Sequence, residues 1–365
     1  MKIVIDARLY GLEHAGLGRY AMNLIRELQK IDHKNEYTVL LRKKYFDQLK
    51  FPKNWKKVPA DFRHYTLTEQ VQLPKILSDE KPDLVHFLHM NVSIFYGGKF
   101  VVTVHDLLMQ KHRGAKATTL PFFAYFPKLI AAKLVFRHAV SAAKKIIVPS
   151  YAVKGEVVSF YHVDPGKIAV TYEGVNPASF KLSRVIDRPY FIYVGNAYPH
   201  KNLERAIKAV ASKKILFVIV SSRSVFTEKL EKDIKNLKAE KYVKLLGFVP
   251  DNKLGTLLKN SLGFIYPSLS EGFGLPGLEA MVVGTLVLAS DIPVFREVYK
   301  DVPLYFDPYD TDSIKGAIED VVKMNEDERN KIIENGRELV KNYSWTKMAK
   351  ETLKVYESCA YLRSG

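Results

Sequence analysis

The stretch SLGFIYPSLSEGFGLPGLEAMVVG, Ser261 to Gly284, passes from an apolar run through a glycine turn into a helical pattern. LGFIYPS reads as a buried strand, because short runs of aromatic and β-branched residues bounded by Pro, Ser and Gly favour the pleated backbone. Pro276 fits the first turn of a helix, where its missing N–H costs nothing. PGLEAMVVG is therefore predicted to be a helix that ends at Gly284 and carries Glu279 in its first turn. Gly272, Phe273 and Gly274 lie between strand and helix, with amides predicted to face a phosphate or a sugar hydroxyl. Glycine lets a ligand approach the backbone closely, and Glu271 on the same turn would accept hydrogen bonds from sugar hydroxyls.

The same alternation of strand and helix runs along the whole chain. Upstream, KIVID, YTVLL, DLVHF, KFVVTVHD, KIIVPS and KIAVTYEGV read as strands; downstream, YFIYVGN, ILFVIVS, YVKLLGF, LGFIYPS, TLVLAS and PLYFD do. Strands separated by helical patterns predict an α/β fold with parallel sheets and crossover helices. Pro177 and the polar SFKLSRVIDRP, Ser179 to Pro189, read as a linker, so two doubly wound, Rossmann-like domains are expected. The first should cover residues 1–180 and the second 181–345. Ligands in such folds sit beyond the carboxyl ends of the strands, which points to the cleft where the two domains face each other. Ser344 is a predicted N-cap for the last helix, whose residues 346–365 are expected to pack back on the first domain.

A chain of 365 residues, nearly half of them apolar, is too long for one ordinary core and suits two. Lys and Arg total 56 against 39 Asp and Glu, giving a net charge of +17 that attracts anions: nucleic acid, anionic lipid or phosphorylated small molecules. Basic residues crowd Leu41 to Lys57 and Lys111 to Lys145, the latter interleaved with aromatics. That pattern suits an anionic membrane surface, and equally the solvated basic face of core-facing helices. No apolar run reaches the roughly 20 residues that span a bilayer, and MKIVIDARLYG meets Asp6 and Arg8 too early for a signal peptide. A cytoplasmic location follows, peripheral to the inner membrane face if the basic segments bind lipid. Cys359, the only cysteine, excludes an internal disulfide and a cysteine-rich zinc site. Asp310 and Asp312 have the spacing of a metal pair but precede a helical pattern and read as its cap, so no metal is expected.

EGFGLPGLEAM, with Glu271 and Glu279 framing the turn, resembles the signature of retaining glycosyltransferases of family 4, which have the GT-B fold. IDARLYGLEHAGLGRYAMNLIREL, VVTVHDL, IIVPSYAVKGEV, YEGVNP, YVGNAYPHKNLERAI, LLGFVPDNKL and YSWTKMAKETL follow in the family's order. The resemblance implies transfer of a hexose from a nucleotide diphosphate sugar, GDP-mannose or a UDP-sugar, without a metal, with the acceptor bound by residues 1–180 and the donor by 181–345. Lys201 in PHKNL matches the phosphate-binding lysine, and a compact cation suits a leaving diphosphate. Gly16 and Gly18 in GLGRY, read as a loop before a helix from about Arg19, are expected to offer amides to the donor. His105 matches the active-site histidine, with Asp106 either orienting its ring or capping the next turn. Glu279 is expected on the ribose, Glu271 on the transferred sugar, Gly247, Phe248 and Val249 at the base, and Leu275 beside the donor with the turn before it.

Asn196 stands where the family often has arginine. Either Arg205 or another cation substitutes, or the donor phosphates are held more weakly. The acceptor stays open between a lipid-linked saccharide, a polysaccharide end and a small molecule. The competing readings are a nucleotide-sugar epimerase or phosphorylase of the same architecture, a glycosidase using two carboxylates, and a basic protein binding membrane or nucleic acid through an inactive site. No helix-turn-helix, zinc-finger or RNP-type string is present, so nucleic acid is not the expected partner.

Overall fold

The computed structural model describes residues 1–111, 122–176, 186–222 and 224–360. Pro177, residues 179–185 of the expected linker, and residues 112–121 of the second basic segment lie outside the described residues. The chain forms two parallel-sheet α/β domains. The first holds the described residues of Met1–Gln110, Leu120–Gly174 and Ser344–Gly365, and the second those of Lys111–Thr119 and Val175–Tyr343.

In the first domain the strands are β1 (Lys2–Asp6), β2 (Glu36–Leu41), β3 (Trp55–Pro59), β4 (Leu84–Phe87), β5 (Phe100–Thr103), β6 (Lys145–Val148) and β7 (Ile168–Val170). They pair in the order β3-β2-β1-β4-β5-β6-β7, every pair parallel. The central runs IVID, LVHF and FVVT are buried along their whole length, as a sheet covered by helices on both faces demands. β3 escapes sequence reading because WKKVP has little apolar character; its lysines mark it as an edge strand. Trp55 registers opposite Tyr37 of β2, and the two rings stack with centroids 4.0 Å apart.

The second domain contains β8 (Tyr190–Val194), β9 (Leu216–Val220), β10 (Val243–Leu246), β11 (Gly263–Tyr266), β12 (Val287–Ser290) and β13 (Leu304–Phe306). All six match predicted strands, and their order is β10-β9-β8-β11-β12-β13. Each sheet reverses direction of growth once, between β1 and β4 and between β8 and β11. Such reversals open a crevice at the carboxyl ends of the strands, and those ends carry the residues of interest.

The chain leaves the first domain at Gly174 and returns at Ser344. A Cβ on Gly174 would lie 2.1 Å from the Trp345 backbone nitrogen, so a side chain there would force the two passing segments apart. Ser344 Oγ accepts from Lys347 N as the predicted cap, and the helix Trp345–Ala360 follows. That helix belongs to the first domain: Thr346 Oγ1 donates to Glu27 at 2.7 Å, and Tyr356 Oη lies 2.6 Å from His86 Nδ1. Among the described residues no helix is long and apolar enough to cross a membrane.

Candidate functional site

In the second domain the chain leaves β8 into a tight turn, Pro199–Lys201, and then enters the helix Leu203–Ser212. Asn202, left-handed at φ 57°, ties this turn down by donating to the carbonyls of Pro267 (3.1 Å) and Pro308 (2.8 Å). The amide of Leu269 donates to the His200 carbonyl at 2.8 Å. These bonds join the loop after β8 to the loop after β11 and bring Lys201 Nζ within 2.5 Å of Glu271 Oε1. The ion pair is nearly sealed, with side-chain exposures of 11% and 10%. Burial acts to raise the Glu271 pKa, but the neighbouring Lys201 and His200 outweigh it and hold the carboxyl below its usual range. His200 is a second basic group at the site that sequence reading did not single out.

The turn between strand and helix forms for steric reasons. Gly274 is left-handed at φ 100°, and a Cβ there would lie 2.3 Å from the Tyr299 hydroxyl. That hydroxyl donates to the Gly274 carbonyl. With Gly274 as cap the helix is Leu275–Val282, so Pro276 is its second residue and Glu279 its fifth. Glu279 thus lies beyond the first turn, where it was expected. Phe273 and Leu275 are buried, and Phe273 packs edge-on against Tyr343 with centroids 5.6 Å apart. Their side chains anchor the turn, beside which the Gly272 backbone is only partly covered.

Asn196 is exposed at the end of β8, and its carbonyl accepts from the Tyr193 hydroxyl at 2.7 Å. Arg205, one helical turn beyond Lys201, donates Nη1 to Asn202 Oδ1 at 2.7 Å and lies 5.9 Å from the Tyr309 ring centre. It is thus held by the same asparagine that fixes the lysine turn. After β10, Phe248 is 69% exposed and the space above Gly247 is open, while Val249 is half-buried before the helix Asp251–Lys259.

In the first domain, His105 follows β5. Its Nε2 is 3.0 Å from the Leu88 carbonyl and its Nδ1 is 3.4 Å from Glu173 Oε1, with the ring edge-on to Tyr20 at 4.7 Å. A carbonyl can only accept, so Nε2 carries a proton toward it. Asp106 takes the capping role, accepting from Leu108 N at 2.9 Å, while buried Glu173 of YEGVNP lies beside the other ring nitrogen. Glu173 went unnoticed in the sequence because a single acid in a short strand end carries no spacing signal.

Gly16 and Gly18 do not form a loop. The helix begins at Ala15 and runs to Ile31, after a short turn Leu12–His14, so both glycines lie inside its first turns. Gly18 is needed because its Cβ would sit 1.8 Å from the Gly11 carbonyl oxygen, whereas Gly16 is exposed with nothing near it. A third group was missed altogether. Arg8 is buried with Nε and Nη2 on Asp6 (2.8 and 2.6 Å) and Nη2 on Glu69 (2.7 Å), and Asn91 Nδ2 donates to both Glu69 oxygens. Asp6 and Arg8 close β1, Glu69 opens the helix Leu67–Glu80 and Asn91 follows β4, so only the fold brings the three segments together.

Among the described residues no group of three or more His, Cys, Asp and Glu could hold a metal ion. Asp310 caps the helix Thr311–Lys323 by accepting from Asp312 N at 2.9 Å.

Residues 14–179 match the family described as Glycosyltransferase Family 4, and residues 176–339 match Glycosyl transferases group 1. The O-antigen chain mannosyltransferase RfbU of Salmonella typhimurium is 33% identical over 247 residues, covering 66% of this chain and 69% of its own. The O-antigen chain mannosyltransferase B of Escherichia coli is 23% identical across 98% of this chain and 100% of its own. Among solved structures, Anabaena Alr3699/HepE in complex with UDP and glucose superposes with a TM-score of 0.76 at 16% identity, over 98% of this chain and all of that one.

Proposed function

The chain belongs to glycosyltransferase family 4, and from that premise we propose that it moves a mannose from GDP-mannose to a hydroxyl of a growing saccharide, with retention at the anomeric carbon. The observation that carries this reading is the sealed Lys201–Glu271 pair at the end of β8 and β11. A leaving diphosphate needs a cation placed beforehand, and a transferred hexose needs an acceptor for its hydroxyls; the pair supplies both from one contact. When a donor binds, the ammonium turns to the phosphate and Glu271 to the sugar. His105, fixed by Leu88 and Glu173, serves at the transferred sugar. Exposed Phe248 takes the base with Gly247 and Val249, and Glu279 takes the ribose. Arg205 supplies the charge that Asn196 lacks.

In the transfer, the bond between the anomeric carbon and the phosphate oxygen breaks with oxocarbenium character. The acceptor oxygen bonds to the same face, and its proton passes to a phosphate oxygen of the departing nucleotide. The protein's part is positioning and electrostatics, so no separate base is required.

Mannose and a polysaccharide-type acceptor are favoured by the names of the two O-antigen relatives. The UDP and glucose of the Anabaena structure keep a UDP-sugar as the second reading of the donor. A peripheral position on an anionic membrane is supported by the helix Phe122–Ala142, where Phe126, Ile130 and Leu134 are 52%, 47% and 62% exposed at a spacing of four residues. Lys128, Lys133 and Arg137 are exposed on the same helix.

Thermal shift with GDP, UDP and their sugars tests the donor. A ligand at 100 times its dissociation constant adds about 2.7 kcal/mol of stability, so one nucleotide should stand out and lose its effect in Lys201→Ala. If neither nucleotide shifts the melting point, the transferase reading fails.

A further inference from the structure

Resting on the transferase reading, we propose that a cleft of the first domain binds the phosphoryl or diphosphate group of the acceptor substrate. The cleft encloses about 360 Å³, and its walls come from the carboxyl ends of four adjacent strands. Leu9 follows β1, Arg42 follows β2, Arg63, His64 and Tyr65 follow β3, and His89 follows β4, with His14 and Leu17 from the start of the helix Ala15–Ile31. This is the size of a small-ligand pocket and the end of the sheet where ligands are bound.

The lining contains two arginines and three histidines and no carboxylate. The acids nearby are already engaged: Asp6 and Glu69 by Arg8, and Glu13 by Lys44 at 2.9 Å and by Tyr45. Neither Arg42 nor Arg63 has an ion-pair partner among the described residues, and Arg42 Nε is buried without a hydrogen bond. Two unneutralised guanidinium groups around one cavity set up a positive potential there that favours an anion.

The imidazoles add directed donors. Asn91 N donates to His89 Nδ1 at 3.2 Å, so the ring proton sits on Nε2, which has no acceptor among the described residues. Burial above all, and then the Arg8 charge, pushes the His64 pKa down to about 3, leaving a neutral ring with one N–H to give. Guanidinium and imidazole donors converging from several strand ends suit a tetrahedral, multiply charged group better than a planar carboxylate.

Independent of the charges, the loop that carries Arg63, His64 and Tyr65 is held under strain. Tyr65 is left-handed at φ 62°, an outlier for a bulky residue. Its N–H is caught by Glu69 Oε2 at 2.8 Å, and Glu69 is in turn fixed by Arg8 and Asn91. The buried network thus stiffens the wall of the cleft, which gives Arg8 a purpose that the donor chemistry does not.

Isothermal titration with inorganic pyrophosphate and with farnesyl diphosphate tests the site on the full chain, with the donor site saturated by whichever of GDP or UDP binds. Pyrophosphate should bind, with affinity falling about tenfold in Arg42→Gln and in Arg63→Gln, the scale of one charge-assisted hydrogen bond. Arg63 is exposed, so its variant folds even if Arg42→Gln does not. Tighter binding of farnesyl diphosphate identifies a lipid-linked acceptor, and equal binding a free sugar phosphate. No binding of pyrophosphate, or binding indifferent to both arginines, overturns the inference while nucleotide binding leaves the transferase reading intact.

Discussion

Replacing Lys201 by alanine should cost the protein both stability and turnover, and pH should separate the two effects. At an N–O separation of 2.5 Å and an effective dielectric near 20, the Coulomb energy of the pair is about 7 kcal/mol. Desolvation offsets part of this, and deleting one partner of such a buried pair typically costs about 3–5 kcal/mol, because the other charge stays buried alone. In the intact protein the Glu271 pKa is lowered, so the pair stabilises at pH above the unfolded value of about 4.3 and loses that contribution as pH falls through the folded value. Without the lysine, burial dominates and raises the same pKa, so the variant is relieved as its carboxyl takes a proton. The stability gap, read from urea unfolding, should therefore be widest near pH 7 and narrow toward pH 4. Lys201→Ala with Glu271→Gln should recover most of the stability, since no bare charge remains, while turnover stays down by about 10²–10³-fold in both. A gap below about 0.5 kcal/mol at pH 7, a gap that does not change with pH, or a double variant that regains turnover would refute this reasoning.

Three further outcomes are expected. Gly274→Ala, which places a Cβ 2.3 Å from the Tyr299 hydroxyl in a left-handed backbone, should destabilise by about 2–4 kcal/mol in urea unfolding, and Tyr299→Phe should return part of it. Glu173→Gln should reduce kcat by about ten- to a hundredfold with little change in donor KM or melting point, because Glu173 positions His105 without being expected to touch the donor. Phe248→Ala should leave unfolding within about 0.5 kcal/mol of the parent, since the ring is exposed, yet weaken nucleoside diphosphate binding by about 1–3 kcal/mol in calorimetry, the worth of one base stacked on an aromatic ring.

What could be read from the sequence is what is local. IVID, LVHF and FIY declare themselves because a strand buried on both faces must be continuously apolar. The edge strand WKKVP was not, since an edge is kept polar to avoid pairing with other chains. Helix starts were displaced for a related reason. Gly16 and Gly18 suggested a loop, but the close approach of Gly11 makes glycine a packing requirement at Gly18 inside the helix. Likewise the left-handed Gly274 lets the next helix begin a residue early, carrying Glu279 past its first turn.

The site divides along the same line. Lys201 and Glu271 were each legible from their own motif, but the 2.5 Å contact between them depends on Asn202, whose side chain reaches Pro267 and Pro308, residues 65 and 106 positions away. Glu173 and His105 meet across two strand ends in the same manner, and so do Arg8, Glu69 and Asn91. A sheet that grows outward from β1 in both directions gathers distant residues at one edge, the carboxyl ends of its strands. Residue types within a motif can name a chemistry, but which charges remain unneutralised is decided by that gathering. Arg42 and Arg63 illustrate it: in the sequence they are two cations among 56, and only the commitment of Asp6, Glu13 and Glu69 to other partners leaves them to a ligand.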